Sequence, residues 1–459
     1  MDYLENYNNL IRIMGVKDDL THKIPKQAAL FPFKHDSTKP LFKKGLYNVF
    51  GEFLRILLDK KMENEISLDN LVNLIMNGIN KDDGTEEYLK KLLDESIFNE
   101  KDELKLLHPY FYLYIKLTPG KQGTGEKDLA RFLRDIFCLD NECLVDFFKL
   151  KKSDNNLIVD LILNNVPPLE YTHIDPKYSS KLSYVNSLFN EDIEFAIKNE
   201  KFFLDNMINI FAFYYFFYIS QLILKLPKRQ NFDEGVEELF FMLDWEKGVK
   251  NRKTEKYGYT NLMDECYKTP PRINLISQLN VLLGTEYKLE NELFDYFNGL
   301  NSEDQQNFLS YLKKWTITYR NVRDFEEIDD LPNDYNQLVN KLYESLNDIE
   351  KGVRNRARSH FSQNLDGFAK KYFLKRRGSY GYVLNINKDM LLMLTALCVK
   401  DKKIKLNQLF TEYEKRGVFL DFPSKMEVVN FLTKRGLIDK KSDDEDAKYV
   451  KPVLRLSLN

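Results

Sequence analysis

Residues 207–226, MINIFAFYYFFYISQLILKL, form the most apolar stretch of the chain and are long enough to cross a bilayer as a helix. Asn209, Ser220, Gln221 and Lys225 interrupt the run, and its tyrosines would leave hydroxyls without partners at mid-bilayer. A helix buried on every side within a protein supplies those partners. The stretch therefore predicts a central core helix of a large helical domain, ended by Pro227, with a membrane helix as the competing reading. No membrane partner is expected.

Around that helix the pattern is mainly α. Apolar residues recur at three- and four-residue spacing, as in Leu54, Leu57 and Leu58, in Leu129, Phe132, Leu133 and Ile136, and in Leu338, Leu342 and Leu346. At 459 residues the chain exceeds one ordinary hydrophobic core, so two or three domains are expected. The reading is a multi-helix body with a C-terminal winged-helix-like α+β module. It divides the chain into an N-terminal arm and helix (1–65), a helical body (66–350) and a basic helix plus winged-helix-like module (351–459). Pro25, Pro32 and Pro40 exclude a long helix in the arm, where Leu30 to Phe33 are expected to pack on the body or on a partner.

Charge separates these regions. The formal net charge is −2, yet residues 351–459 carry 24 Lys and Arg against 12 Asp and Glu, a balance of +12. Residues 1–350 are left with 44 against 58, or −14. An acidic scaffold bearing a basic binding module has this asymmetry, and a phosphate backbone is the natural partner of the basic part.

Catalytic patterns are missing from the sequence. Its five histidines include no pair at helical four-residue spacing for a metal, and there is no Gly-x-Ser-x-Gly elbow, kinase signature or dinucleotide fingerprint. PGKQGTGEKD (119–128) superficially resembles a phosphate loop, but Gly120-Lys121 is followed by Gln122 and Gly125 by Glu126, so the required Gly-Lys-Ser/Thr is lacking. Four cysteines make no disulfide framework, and Cys138 and Cys143 stand without further zinc ligands, so buried thiols are expected. With an N-terminus that shows no leader pattern, the chain reads as cytoplasmic and reduced, with no cofactor and no metal. Asp443, Asp444, Glu445 and Asp446 crowd one polar turn; a hairpin tip that meets a protein partner is favoured there over a Mg²⁺ site for a nuclease. Trp245 among Lys247, Lys250, Arg252, Lys253 and Lys256 is either a backbone-binding surface or a solvated helix end.

The basic module itself begins with an Arg-rich helix and the cluster Lys370, Lys371, Lys375, Arg376 and Arg377, followed by GSYGYVLNI, which alternates enough for a strand. Asn387 is placed to cap a helix carrying Met390, Leu391, Leu394 and Leu397. Gly417 and Gly436 each follow an Arg and fit left-handed helix ends. On the third helix Met426, Val429, Phe431 and Leu432 are expected inward, leaving Lys425, Asn430, Lys434 and Arg435 to face double-stranded DNA. These residue types suit phosphates better than base edges.

The strings LKRRGSYGYVLNIN, LFTEYEKRGVFLD and LIDKKSDDEDAKYVKPVL, together with DWEKGVKNRK and FYYFFYISQLILKL, resemble the DNA phosphorothioation-dependent restriction protein DptG family over roughly a third of the chain. The resemblance implies a non-catalytic subunit of a bacterial anti-phage machine that damages DNA lacking backbone sulfur, acting beside DptF-like and DptH-like ATPase subunits. A metal-dependent nuclease subunit and a winged-helix docking scaffold without DNA contact are the alternative readings.

Overall fold

The computed structural model describes residues 2–16, 30–33, 42, 45–62, 72–73, 75, 87–88, 90–92, 109–139, 141–149, 157–166, 168–247, 252–328, 330–440 and 448–454. They belong to two compact units. The first unit is Met1–Leu41, Lys181–Val185 and Tyr214–Asn459; the second is Phe42–Ser180 and Asn186–Phe213. Both are mainly helical, with short strands.

In the first unit, α1 (Tyr3–Met14) starts at Asp2, whose carboxylate accepts the Glu5 amide, and stops at Gly15 in the left-handed region. Tyr3, Tyr7, Leu10 and Met14 line one buried stripe, the i, i+4, i+7 and i+11 positions of a helix. Leu30, Phe31 and Phe33 are also buried, and both phenyl rings meet Phe361, at 5.2 and 4.8 Å between centroids. That part of the arm packs on its own body.

The second unit is built on α2 (Tyr47–Leu57), which packs along α3 (Lys121–Phe137). Phe50 and Phe53 both reach Phe211, at 5.2 and 4.8 Å between centroids. Arg55 is buried, and its Nη1 donates to the Leu113 and Ile115 carbonyls at 2.8 Å while Glu52 neutralises it at 2.7 Å. Two short helices, α4 (Glu142–Lys149) and α5 (Leu157–Asn165), follow α3. A two-stranded antiparallel ladder joins β1 (Lys60–Lys61) to β2 (Glu170–Tyr171). The glycine-rich stretch is helical: Gly123 and Gly125 lie inside α3, and Glu126 accepts both the amide and the hydroxyl of Thr118 at 2.7 Å. The Thr118 amide and hydroxyl that precede this helix are thus taken by a carboxylate of the chain itself.

Helix α6 (Ser183–Ile197) precedes α7 (Glu200–Lys225), the helix expected from the apolar stretch. Its residues up to Phe213 belong to the second unit and the remainder to the first. It is long and apolar enough to cross a membrane, but 83% of its most apolar window is buried inside the protein. Tyr218 accepts the Lys181 amide at 2.8 Å, and Lys225, fully buried, is held by Asp233 at 2.9 Å and Glu237 at 3.3 Å. Both groups are thereby paired, as burial requires.

The rest of the first unit surrounds α9 (Tyr259–Leu283), preceded by the single turn α8 (Lys253–Lys256). Helices α10 (Glu290–Asn298), α11 (Ser302–Val322), α12 (Tyr335–Asn347) and α13 (Asn355–Tyr372) pack on α9, as does α1. Trp315, fully buried, donates to Gln278 at 2.8 Å. A four-stranded sheet of order β4-β5-β3-β7 comes next, made of β3 (Phe240–Leu243), β4 (Leu374–Arg376), β5 (Tyr382–Ile386) and β7 (Phe419–Leu420). All four β3 residues are buried, and β3 runs parallel to both β5 and β7, pairing Met242 with Asn385 and Phe240 with Phe419. A continuous apolar run such as LFFML suits a strand flanked on both sides.

After β5 the order is α14 (Lys388–Val399), β6 (Ile404–Lys405), α15 (Leu406–Lys415), β7, α16 (Phe422–Lys434), β8 (Ile438–Lys440) and β9 (Lys448–Val450). The last strands form an antiparallel sheet of order β6-β9-β8. Asn387 caps α14, accepting the Met390 amide at 2.8 Å. Gly417 and Gly436 have φ of 75° and 68°. At Gly417 a Cβ would also lie 2.5 Å from Phe217 Cε2, so both conformation and space require glycine.

Candidate nucleic-acid interface

The first basic cluster lies at the C-terminal end of α13 and on the hairpin formed by β4 and β5. Lys370 is exposed, 2.7 Å from Asp366, with its Nζ 5.1 Å from the centre of the Tyr382 ring. Lys371 is exposed on the next residue of the same helix. Lys375, half-exposed, bonds the Asp244 carbonyl at 2.6 Å and its carboxylate at 2.5 Å. Arg376 is exposed and stands opposite Tyr382 in the ladder. Arg377 donates to the carbonyls of Glu246, Leu243 and Asp244 and, at 3.1 Å, to Asn385 Oδ1, and burial holds its guanidinium below the usual range. Of these five cations, Lys375 and Arg377 clamp the end of β3, while Lys370, Lys371 and Arg376 present charge at the surface.

The second group lies on α16. Asn430, Lys434 and Arg435 are exposed, and Arg435 sits 5.5 Å from the Phe431 ring centre. Lys425 is half-buried, bound to Glu414 at 2.9 Å and lying 5.2 Å from the Phe410 ring centre. The inward face differs from the sequence expectation. Ser424, Val428, Phe431 and Leu432 are buried, whereas Met426 is 42% exposed and Phe422 76% exposed. Asp421 caps the helix, its carboxylate accepting the Ser424 amide at 3.2 Å, and the Ser424 side chain faces inward, its Oγ accepting from Arg252 at 2.7 Å. Asp443, Asp444, Glu445 and Asp446 lie outside the described residues.

What ties α16 to the body was not visible as a sequence motif. Arg252 bridges Glu246 at 2.6 Å and both oxygens of Asp421, and donates to Ser424 Oγ at 2.7 Å. Burial opposes the charge of each partner, but the mutual hydrogen bonds outweigh it. They hold the Arg252 pKa above and the Asp421 pKa below their ordinary values. Trp245 donates to Glu427 at 2.9 Å and packs on Phe431 at 5.1 Å between centroids. The tryptophan and Arg252 are therefore a clasp on α16. Only their sequence separation from Asp421 and Glu427 hid the pairing.

Among the described residues no group of three His, Cys, Asp or Glu side chains could hold a metal ion. Cys138, Cys266 and Cys398 are buried, and burial pushes the Cys266 thiol up to about 12; Cys143, contrary to the sequence expectation, is exposed. No protein-family model matches the chain, and no curated protein matches it in sequence.

Proposed function

We propose that this chain is a non-catalytic DNA-binding and assembly subunit whose residues 388–454 form a winged helix. The observation that carries this reading is the element order α14, β6, α15, β7, α16, β8, β9, in which β6, β9 and β8 form their own antiparallel sheet while β7 pairs with β3, together with the exposed Asn430, Lys434 and Arg435 on the third helix. A third helix carried in this way can lie in a major groove, and Lys and Arg at its end neutralise phosphates. The regional charge of +12 over residues 351–459 acts in the same direction. Membership of a phosphorothioation-dependent restriction complex, with DptF-like and DptH-like ATPase partners, rests on the resemblance of LKRRGSYGYVLNIN and the other quoted strings.

A salt titration of duplex binding tests it. Charge reversal of Lys434 and Arg435 should weaken binding and lower the slope of log affinity against log salt by about 1 for each phosphate no longer neutralised. An unchanged affinity and slope would remove the DNA-binding assignment. A protein-docking winged helix is the second reading, favoured by Phe422 and Met426, which give the start of α16 an exposed apolar face. In that case Phe422→Ser with Met426→Ser abolishes co-purification with the ATPase partners, and Lys434 and Arg435 are indifferent to salt-dependent DNA binding.

A further inference from the structure

The tip of the β4–β5 hairpin carries a surface that duplex docking through α16 does not use. Between the strands, Arg377 to Gly381 form a tight turn: the Arg377 amide bonds the Gly381 carbonyl at 2.7 Å and the Tyr380 amide bonds the Arg377 carbonyl at 3.0 Å. Gly378 and Gly381 both have positive φ, and a Cβ at either would meet nothing within 4 Å, so the turn is open to solvent. Tyr380 and Tyr382 are 37% and 41% exposed. Directly opposed residues of an antiparallel pair project from one face, which places Arg376 beside Tyr382. Lys370 sits over the same ring, and Tyr259 meets it edge-on at 6.4 Å between centroids, its hydroxyl bonded to Asp366. The Tyr382 ring is thus held between Lys370 and Tyr259 contacts.

Two exposed rings, carried by a hydrogen-bonded turn and interleaved with outward cations, have the composition of a stacking platform. Every base has a π-face to lay on tyrosine, and Lys370 and Arg376 are positioned to neutralise the phosphates on either side. A Watson–Crick duplex hides its base faces and would gain nothing from the rings. We propose that the β4–β5 hairpin binds an unpaired DNA strand, with Tyr380 and Tyr382 stacking on its bases and Lys370 and Arg376 holding its backbone. The inference rests on the nucleic-acid reading above and names a substrate form for it: DNA with a single-stranded segment beside duplex.

The test uses the full chain, a labelled oligothymidylate of about 15 nucleotides and a labelled duplex, followed by fluorescence anisotropy. Tyr380→Ala with Tyr382→Ala should weaken oligothymidylate binding at least about 10-fold and leave duplex binding within about twofold, whereas the double Phe variant keeps both. Because Tyr382 touches Tyr259, Tyr380→Ala alone guards against misfolding; it should keep the wild-type melting temperature and still weaken single-strand binding about threefold or more. Wild-type failure to bind oligothymidylate, or binding unaltered in the Ala variants, overturns the hairpin site. If Lys434 and Arg435 reversal leaves duplex binding unchanged while the tyrosine variants lose the single strand, the winged-helix reading fails and the hairpin site stands.

Discussion

Arg252 concentrates the electrostatics of the first unit into one side chain. It neutralises Glu246 and Asp421, both largely buried, and Asp421 in turn caps α16. Removing one member of a buried ion cluster leaves the others charged and desolvated, a loss of about 3–5 kcal/mol. Arg252→Ala should therefore lower the stability of the first unit by about that amount in chemical denaturation, far more than an exposed pair such as Lys341 and Glu344 contributes. The pH dependence has a fixed sign. Asp421 has a depressed pKa in the folded chain, so its contribution is present above the ordinary carboxylate value of about 4 and is lost as pH falls through the folded value. Arg252, with its pKa raised, stays charged throughout that window. Wild-type melting temperature should drop across the acid limb, and Asp421→Asn should flatten that limb; a limb unaltered in the variant would assign acid lability to other carboxylates.

At the level of elements, the helices and their caps were legible in the sequence wherever the deciding contacts are local. Asn387 capping Met390, Gly417 and Gly436 ending their helices, and the burial of α7 all follow from residues within a turn or from the composition of one segment. The phase of α16 was not, because Met426 and Val428 are both apolar and the choice between them is made by side-chain contacts distant in sequence, of Arg252 with Ser424 and of Trp245 with Glu427 and Phe431. The parallel pairing of β3 with β5 and β7 was hidden for the same reason: its partners lie more than a hundred residues away and leave no spacing pattern. The cationic cluster was half legible, since composition gives the cations but not which of them bond to the end of β3, as Lys375 and Arg377 do. The observed phase is testable by a matched pair. Val428→Lys places a charge at a fully buried position and should unfold the module or cost several kcal/mol, whereas Met426→Lys, at a position 42% exposed, should leave the melting temperature within a degree or two. Equal destabilisation by both would contradict the rotation of the helix.

The whole chain is organised so that sequence cuts do not match structural ones. The first unit takes α1 from the N-terminus, the short piece Lys181–Val185 and everything from Tyr214 onward, so a fragment covering 214–459 retains the charged module but loses part of the unit's own core. That loss is substantial. Tyr3, Tyr7, Leu10 and Met14 are all buried; Tyr7 bonds Thr318 at 2.9 Å and packs edge-on to Trp315, and Asn6 donates to the Leu282 carbonyl at 3.1 Å. Burial of four such side chains stabilises by about 1.5–3 kcal/mol each, a sum comparable to the entire stability of about 5–15 kcal/mol that a domain has. The fragment 214–459 should accordingly lack a cooperative thermal transition, however intact its cationic residues, and under the proposed function should bind duplex more weakly than the full chain. Supplying residues 1–16 as a separate peptide should raise protection from proteolysis in α9 and α11, because those helices carry the Leu282, Trp315 and Thr318 positions that α1 covers. A fragment that melts cooperatively at the temperature of the full chain would show that α1 adds little. Under the proposed function, a loss of duplex binding in a fragment that no longer melts cooperatively would follow from loss of the unit's core, so only surface substitutions such as those at the exposed Lys434 and Arg435 test the proposed interface.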